Sequence, residues 1–323
     1  MATARTWRAH HPDGPYPANR DDIAALNQVF SDAFTERYRR DGMVGVRVPS
    51  LNPVIWRYAI EDADGGALVW RDERDAIVAF NIAHRSGVEG WMGPLAVRPD
   101  RQGLGIGKEI VRAGMELLKT RGATTIGLET MPRTMDNIGF YSGLGFVPGR
   151  LTVTLTLDVT PGDRPLLVLG RVGDAQRGEL VRACAALTGR LLAGYDFTRE
   201  LELTSALSLG DTVLLMERDR VAGFALCHAV PLVEGRTRDE IRVLKVVLER
   251  EDDVTALARS VAEYARRAGA RRVAFRVQSE YMVAYQRLIA MGARVRWTDL
   301  RMTVAEYPER KPAAGVVWSN WEI

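Results

Sequence analysis

The stretch Val97-Arg98-Pro99-Asp100-Arg101-Gln102-Gly103-Leu104-Gly105-Ile106-Gly107-Lys108 decides how this chain is read. An apolar run from Trp91 to Val97 enters it as a strand candidate, and an amphipathic run from Ile106 to about Arg121 leaves it as a helix candidate. Three glycines let backbone N–H groups turn inward with no Cβ in the way. The helix start adds its unpaired N–H groups and the positive end of its macrodipole, so the turn is an anion site suited to phosphates. Spacing removes two phosphate ligands. A dinucleotide fingerprint, G-x-G-x-x-G, fits Gly103 and Gly105 but meets Lys108 where its third glycine belongs. A P-loop ends in Gly107-Lys108, yet Gln102 stands in place of its first glycine and Glu109 in place of Ser or Thr.

Gln102 to Gly107 does fit Q/R-x-x-G-x-G/A, directly after a strand ending in Leu95-Ala96-Val97. Downstream, Asn137-Ile138-Gly139-Phe140-Tyr141-Ser142-Gly143-Leu144-Gly145-Phe146 fits N-x-x-x-Y-x-x-x-G-F, with a helix and a strand (Thr124 to Glu129) between the two motifs. On these residues the segment from 1 to about 157 resembles the GNAT superfamily of N-acetyltransferases. The resemblance implies acetyl-CoA as cosubstrate, no metal, and direct transfer of the acetyl group to an amine of a small molecule or peptide in a ternary complex. Gln102, Gly103, Leu104, Gly105, Ile106, Gly107 and Lys108 would then cradle the pyrophosphate. Leu95, Ala96 and Val97 would splay from the neighbouring strand and pair with the pantetheine arm, an N–H near Val97 polarising the thioester carbonyl.

The same resemblance gives Asn137 a hydrogen bond to the pantetheine, where a helix cap is the alternative. It makes Tyr141 the general acid that protonates the departing thiolate. Thiolate is a fair leaving group, so this acid is worth about 10²–10⁴ in rate; packing against the cofactor is the plainer role. The base is open. Members of the superfamily often carry a glutamate on the strand before the loop, but Trp91 stands there. Glu89 lies two residues earlier, Glu129 ends the next strand, and His84 is a third candidate; a water chain or a weakly basic amine would need none of them. A non-catalytic acyl-CoA-binding regulator is the alternative function, and retention of Tyr141 beside the loop counts against it.

The rest of the chain supplies the frame. Its 323 residues suffice for two domains, and 46% hydrophobic with 26% charged residues describe a globular protein. A net charge of +3 gives no nucleic-acid surface, and no apolar run is long enough to span a bilayer. Two cysteines in apolar surroundings, Cys184 and Cys227, suit a reducing cytoplasm. A monomer or homodimer is expected.

Apolar spacing predicts helices at Asp21 to Arg39 and Pro53 to Ala63, the second capped by Asn52, and strands at Thr6 to His10, Ala67 to Trp70 and Ile77 to His84. In the helix after the glycine loop, Ile106, Ile110, Ala113, Leu117 and Leu118 would face the sheet, with Gly122 as stop. Asp158 to Pro165 reads as a linker, and beyond it the plan repeats: Phe224 and His228 mirror Phe80 and His84 at an offset of 144. Strands at Val213 to Met216, Val221 to His228, Val243 to Val247 and Arg272 to Val277 and helices at Val254 to Ala268 and Met282 to Met291 complete the copy.

The expected fold is therefore α/β (α+β): two tandem GNAT domains, 1–157 and 166–308, each a mixed, mostly antiparallel sheet flanked by helices, then a tail at 309–323. Aligning Val97 with Val247, and Gly145 with Gly292, puts Asp252, Thr255, Leu257, Ala284 and Leu288 opposite Gln102, Gly105, Gly107, Asn137 and Tyr141. Glu249, Glu251, Asp252 and Asp253 stand where pyrophosphate would sit, so the second domain is expected to bind no CoA. Between the first two helices, the apolar segment Gly42 to Pro53 carries Arg47; it suggests an acceptor with an apolar body and a carboxylate, or a plain buried connection.

Overall fold

A computed structural model describes residues 11–160 and 166–321; the strand expected at Thr6 to His10 and most of the linker lie outside them. β1 (Asp13–Pro17) leads through a 3-10 turn, boxed by Asn19 and Asp22, into α1 (Ile23–Arg40). The turn absorbs the first residues of the expected helix. α1 buries Leu26, Val29, Phe30 and Ala33 at spacings of three and four. In α2 (Pro53–Ala63) the Asn52 side chain accepts from the Val54 N–H at 3.2 Å, with Pro53 at the first position.

β2 (Ala67–Arg71), β3 (Ile77–Ser86) and β4 (Glu89–Val97) form an antiparallel meander, on which α3 (Ile106–Thr120) lies. The buried face of α3 is Ile106, Ile110, Val111, Met115 and Leu118; Ala113 and Leu117 are only half-buried, so the helix is turned slightly from the expected orientation. Gly114 seats it: a Cβ there would stand 2.3 Å from the Asn81 amide nitrogen, which donates to the Ile110 carbonyl at 2.8 Å. β5 (Thr125–Thr130), α4 (Met135–Ser142) and β6 (Phe146–Asp158) complete the first half.

The second half repeats the order: β7 (Leu167–Val168), α5 (Asp174–Leu191), α6 (Thr198–Ala206), β8 (Gly210–Glu217), β9 (Arg220–His228), β10 (Glu240–Leu248), α7 (Val254–Arg267), β11 (Arg272–Gln278), α8 (Met282–Ala290) and β12 (Arg294–Val304). One strand, β13 (Val316–Ser319), has no counterpart among the described residues of the first half. Parallel pairing sets the true correspondence. Glu89–Met92 pair with β5 and Glu240–Val243 with β11, so Val97 stands opposite Leu248, one residue beyond Val247.

The α/β fold is as expected, with a mixed, mostly antiparallel sheet. The two halves share that sheet, in the order β1-β2-β3-β4-β5-β12-β6-β11-β10-β9-β8-β7. Each half gives its last strand to the other: β12 of the second half pairs with β5, and β6 of the first pairs with β11. β6 and β12 pair with each other along most of their length, from Arg294↔Thr156 to Val304↔Phe146. The separate sheets implied by tandem domains are thus one continuous sheet. No helix among the described residues is long and apolar enough to cross a membrane.

Candidate active site

Pairing between β4 and β5 stops at Met92↔Leu128. β4 runs on beside β3, and β5 runs on beside β12, so a wedge opens between them. Arg98 donates to the Val78 carbonyl on β3 at 2.8 Å. Antiparallel alternation therefore turns Ala96 toward β3 and the N–H groups of Leu95 and Val97 toward the wedge. The Gln102 amide closes the far end, donating to the Val97 carbonyl at 3.0 Å. Gly103 (φ +80°) and Gly105 (φ +87°) take left-handed backbone, with Gly105 as N-cap of α3. The Ile106 and Gly107 N–H groups open α3 ahead of any intrahelical carbonyl, whereas the Lys108 N–H donates to the Gly105 carbonyl at 3.0 Å. The cradle and the unpaired strand edge fit an extended, phosphate-bearing cofactor.

A cavity of about 350 Å³ occupies the wedge. Its walls include Leu95, Ala96, Val97, Gln102, Gly107, Asn137 and Tyr141, which the two motifs scatter over the sequence, and Glu129 from β5. Gly103, Leu104, Gly105, Ile106 and Lys108 are not in these walls; Leu104, Gly105 and Lys108 border a neighbouring surface depression. The Asn137 amide reaches Thr130 at 3.3 Å; α4 begins after Thr134 with no side-chain cap, so Asn137 is not a capping residue. Tyr141 is 7% exposed, and burial pushes its hydroxyl above the ordinary tyrosine range. It keeps its proton at neutral pH.

The candidate bases separate. Glu89 is buried outside the cavity, accepting from Ser319 Oγ at 2.6 Å, and burial raises its carboxyl pKa. It belongs to a polar seam between the halves, where Lys245 donates to Ser319 at 2.9 Å and lies 3.5 Å from Glu200. His84 is also outside: Asp62 holds its Nδ1 at 2.8 Å, and its Nε2 lies 3.1 Å from the Gly93 carbonyl. Glu129 does face the cavity, but Thr152, Arg276 and Arg301 bind it. Burial opposes its charge; Arg276 and Arg301 outweigh that and hold its carboxyl below the ordinary range.

Several wall residues carry no motif. α1 contributes Phe34, Arg37 and Arg40, and β12 contributes Asp299 from the second half. Nothing local in the sequence marks Asp299, because the strand exchange places it. The 42–53 segment is not part of the wall: Val44 is 81% exposed, and Arg47 pairs with Asp32 at 2.9 Å on the surface.

The second half has the same wedge and fills it with its own chain. Beyond Val243, β10 pairs antiparallel with β13, from Lys245↔Ser319 to Leu248↔Val316. Trp318 is 1% exposed there, and Trp321 stacks on Trp91 at 5.5 Å. The acids opposite the glycine loop are engaged: Glu249 by Arg190 and Arg220, Asp252 by Arg287, Asp253 by Arg250, and Glu251 by the Ala284 N–H.

Residues 24–146 match the family model of the acetyltransferase (GNAT) family. No curated protein matches the sequence. Among solved structures, a candidate acetyltransferase from Pyrococcus horikoshii is 19% identical, with a TM-score of 0.66 over 96% of this chain and 98% of that one. A GCN5-related N-acetyltransferase from Sphaerobacter thermophilus is 16% identical, with a TM-score of 0.59 over 93% and 98%. A tandem GNAT protein from the clavulanic acid biosynthesis pathway is 14% identical, with a TM-score of 0.58 over 93% and 100%. At these identities the likeness is one of fold, and it extends over both halves.

Proposed function

We propose, from the match of residues 24–146 to the acetyltransferase (GNAT) family and the tandem fold of both halves, that this chain transfers an acetyl group from acetyl-CoA to an amine, with the cofactor held by its first half. The observation that carries the proposal is the wedge between β4 and β5, with the glycine cradle at one end and the Tyr141 phenol in its wall. In the second half the equivalent wedge is filled by β13 and bordered by paired acids.

Bound acetyl-CoA would supply the thioester carbon that the amine attacks. The chain's own groups do the rest. N–H groups from Gly103 to Lys108 hold the pyrophosphate, and Gly105 and Gly107 leave room for it. Leu95 and Val97 present main-chain groups to the pantetheine arm, and the Val97 N–H lies on the side where it polarises the carbonyl. Asn137 orients the arm from the opposite wall. Tyr141 delivers its proton to the leaving sulfur, a role suited to a phenol that burial keeps protonated. Phe34 and Phe140 line the cavity and suit an acceptor with an apolar body. Incubation with acetyl-CoA, a panel of amines and a thiol reagent tests this. Amine-dependent release of CoA is expected, whereas tight acetyl-CoA binding with no release on any amine makes the protein a regulator.

A further inference from the structure

Two carboxylates face the cavity, and they are differently occupied. Glu129 accepts three hydrogen bonds, from Thr152 and Arg301 on Oε1 and from Arg276 on Oε2, so two guanidinium groups hold its charge. Asp299 receives one hydrogen bond on each oxygen, from Trp297 Nε1 at 3.0 Å and from Arg276 at 3.2 Å, and that Arg276 nitrogen also serves Glu129. Asp299 therefore has open lone pairs, sits in the cavity wall, and is 17% exposed. An alkylammonium acceptor, with a pKa of about 10.4, must lose a proton before it can attack.

Resting on the acetyl-transfer reading above, we propose that Asp299, brought to the cavity by the exchanged strand β12, is the general base that takes this proton. The step balances: the ammonium gives one proton to Asp299, which passes it to solvent. The neutral amine then attacks the thioester carbon, the C–S bond breaks, and the thiolate takes the Tyr141 proton. The second proton of the new amide nitrogen restores the tyrosine hydroxyl. The second half would thus supply a reacting group to the first.

The charged and titratable groups around Asp299 are Glu129 on β5, Arg276 on β11, Arg301 on β12, Tyr38 and Arg37 on α1, and Arg133 before α4, which lies 5.7 Å from the Trp297 ring; β6 places the uncharged Thr152 opposite Asp299. Burial first, and the Glu129 charge second, push the Asp299 carboxyl up to about 6, against the pull of Arg276. A base must be ionised, so activity should rise with pH through about 6 and level off above it.

The test compares wild type with Asp299→Asn on two acceptors, 2-phenylethylamine and 2,2-difluoro-2-phenylethylamine. They have nearly the same shape, and fluorine makes the second far less basic. With the basic amine the variant should lose about 100-fold in kcat/KM, together with the rising limb near pH 6; with the fluorinated amine it should lose only a few-fold. Asp299→Glu should restore part of the loss. Equal losses on both amines, or an unchanged pH profile, would overturn the base role while leaving acetyl transfer standing. A wild type that releases CoA with neither amine would overturn this proposal and, if the whole panel also fails, the acetyl-transfer reading with it.

Discussion

Tyr141 and Glu129 show how far single residues can be read from this sequence. Tyr141 is recognisable because its environment is local: the motif places it on a short helix that opens onto the wedge. Replacement by Phe should leave acetyl-CoA affinity within about twofold and lower kcat by about 10² or more, as seen by calorimetry and thiol release; an unchanged kcat would remove the acid role. Glu129 was equally visible as a carboxylate at a strand end, but its state was not. The guanidinium groups that bind it lie 147 and 172 residues away. Only the folded chain shows that its charge is engaged, and only the strand exchange puts Asp299 beside it.

At the scale of elements, local rules went furthest where they were strongest. The cap of α2, the stop of α3 and the glycine loop all follow from backbone preferences of a few adjacent residues. The loop makes a direct prediction. Gly105→Val puts a β-branched residue at φ +87°, costing about 1–3 kcal/mol of backbone strain. It should also weaken acetyl-CoA binding by more than about tenfold, a change of about 1.4 kcal/mol. Calorimetric affinity within twofold of wild type would show that the loop does not hold the cofactor. Other elements were hidden for physical reasons. α5 buries only Leu180, Cys184, Leu187 and Thr188 over its 18 residues, too sparse a stripe to stand out. β13 follows turn-rich sequence, and its place is fixed by the partner strand it finds.

For the whole molecule, the repeat was legible as matching strands and helices, but the joining of the halves was not. Which strand pairs with which depends on contacts between distant residues, and here the last strands cross over. The exchange gives the second half a part in the site that needs no glycine loop: it completes the first half's sheet and brings Asp299 to the cavity. The tail belongs to this arrangement, since Trp318 packs into the core of the second half. Trp318→Ala should lower unfolding stability by about 3–5 kcal/mol, measured by denaturant titration; a midpoint equal to wild type would mean that the tail is not docked. The central claim is that one half holds the cofactor while the other has filled its own wedge. Titration of the intact protein with acetyl-CoA in a calorimeter tests it most directly: one molecule bound per chain is predicted, and two, or none, would contradict it.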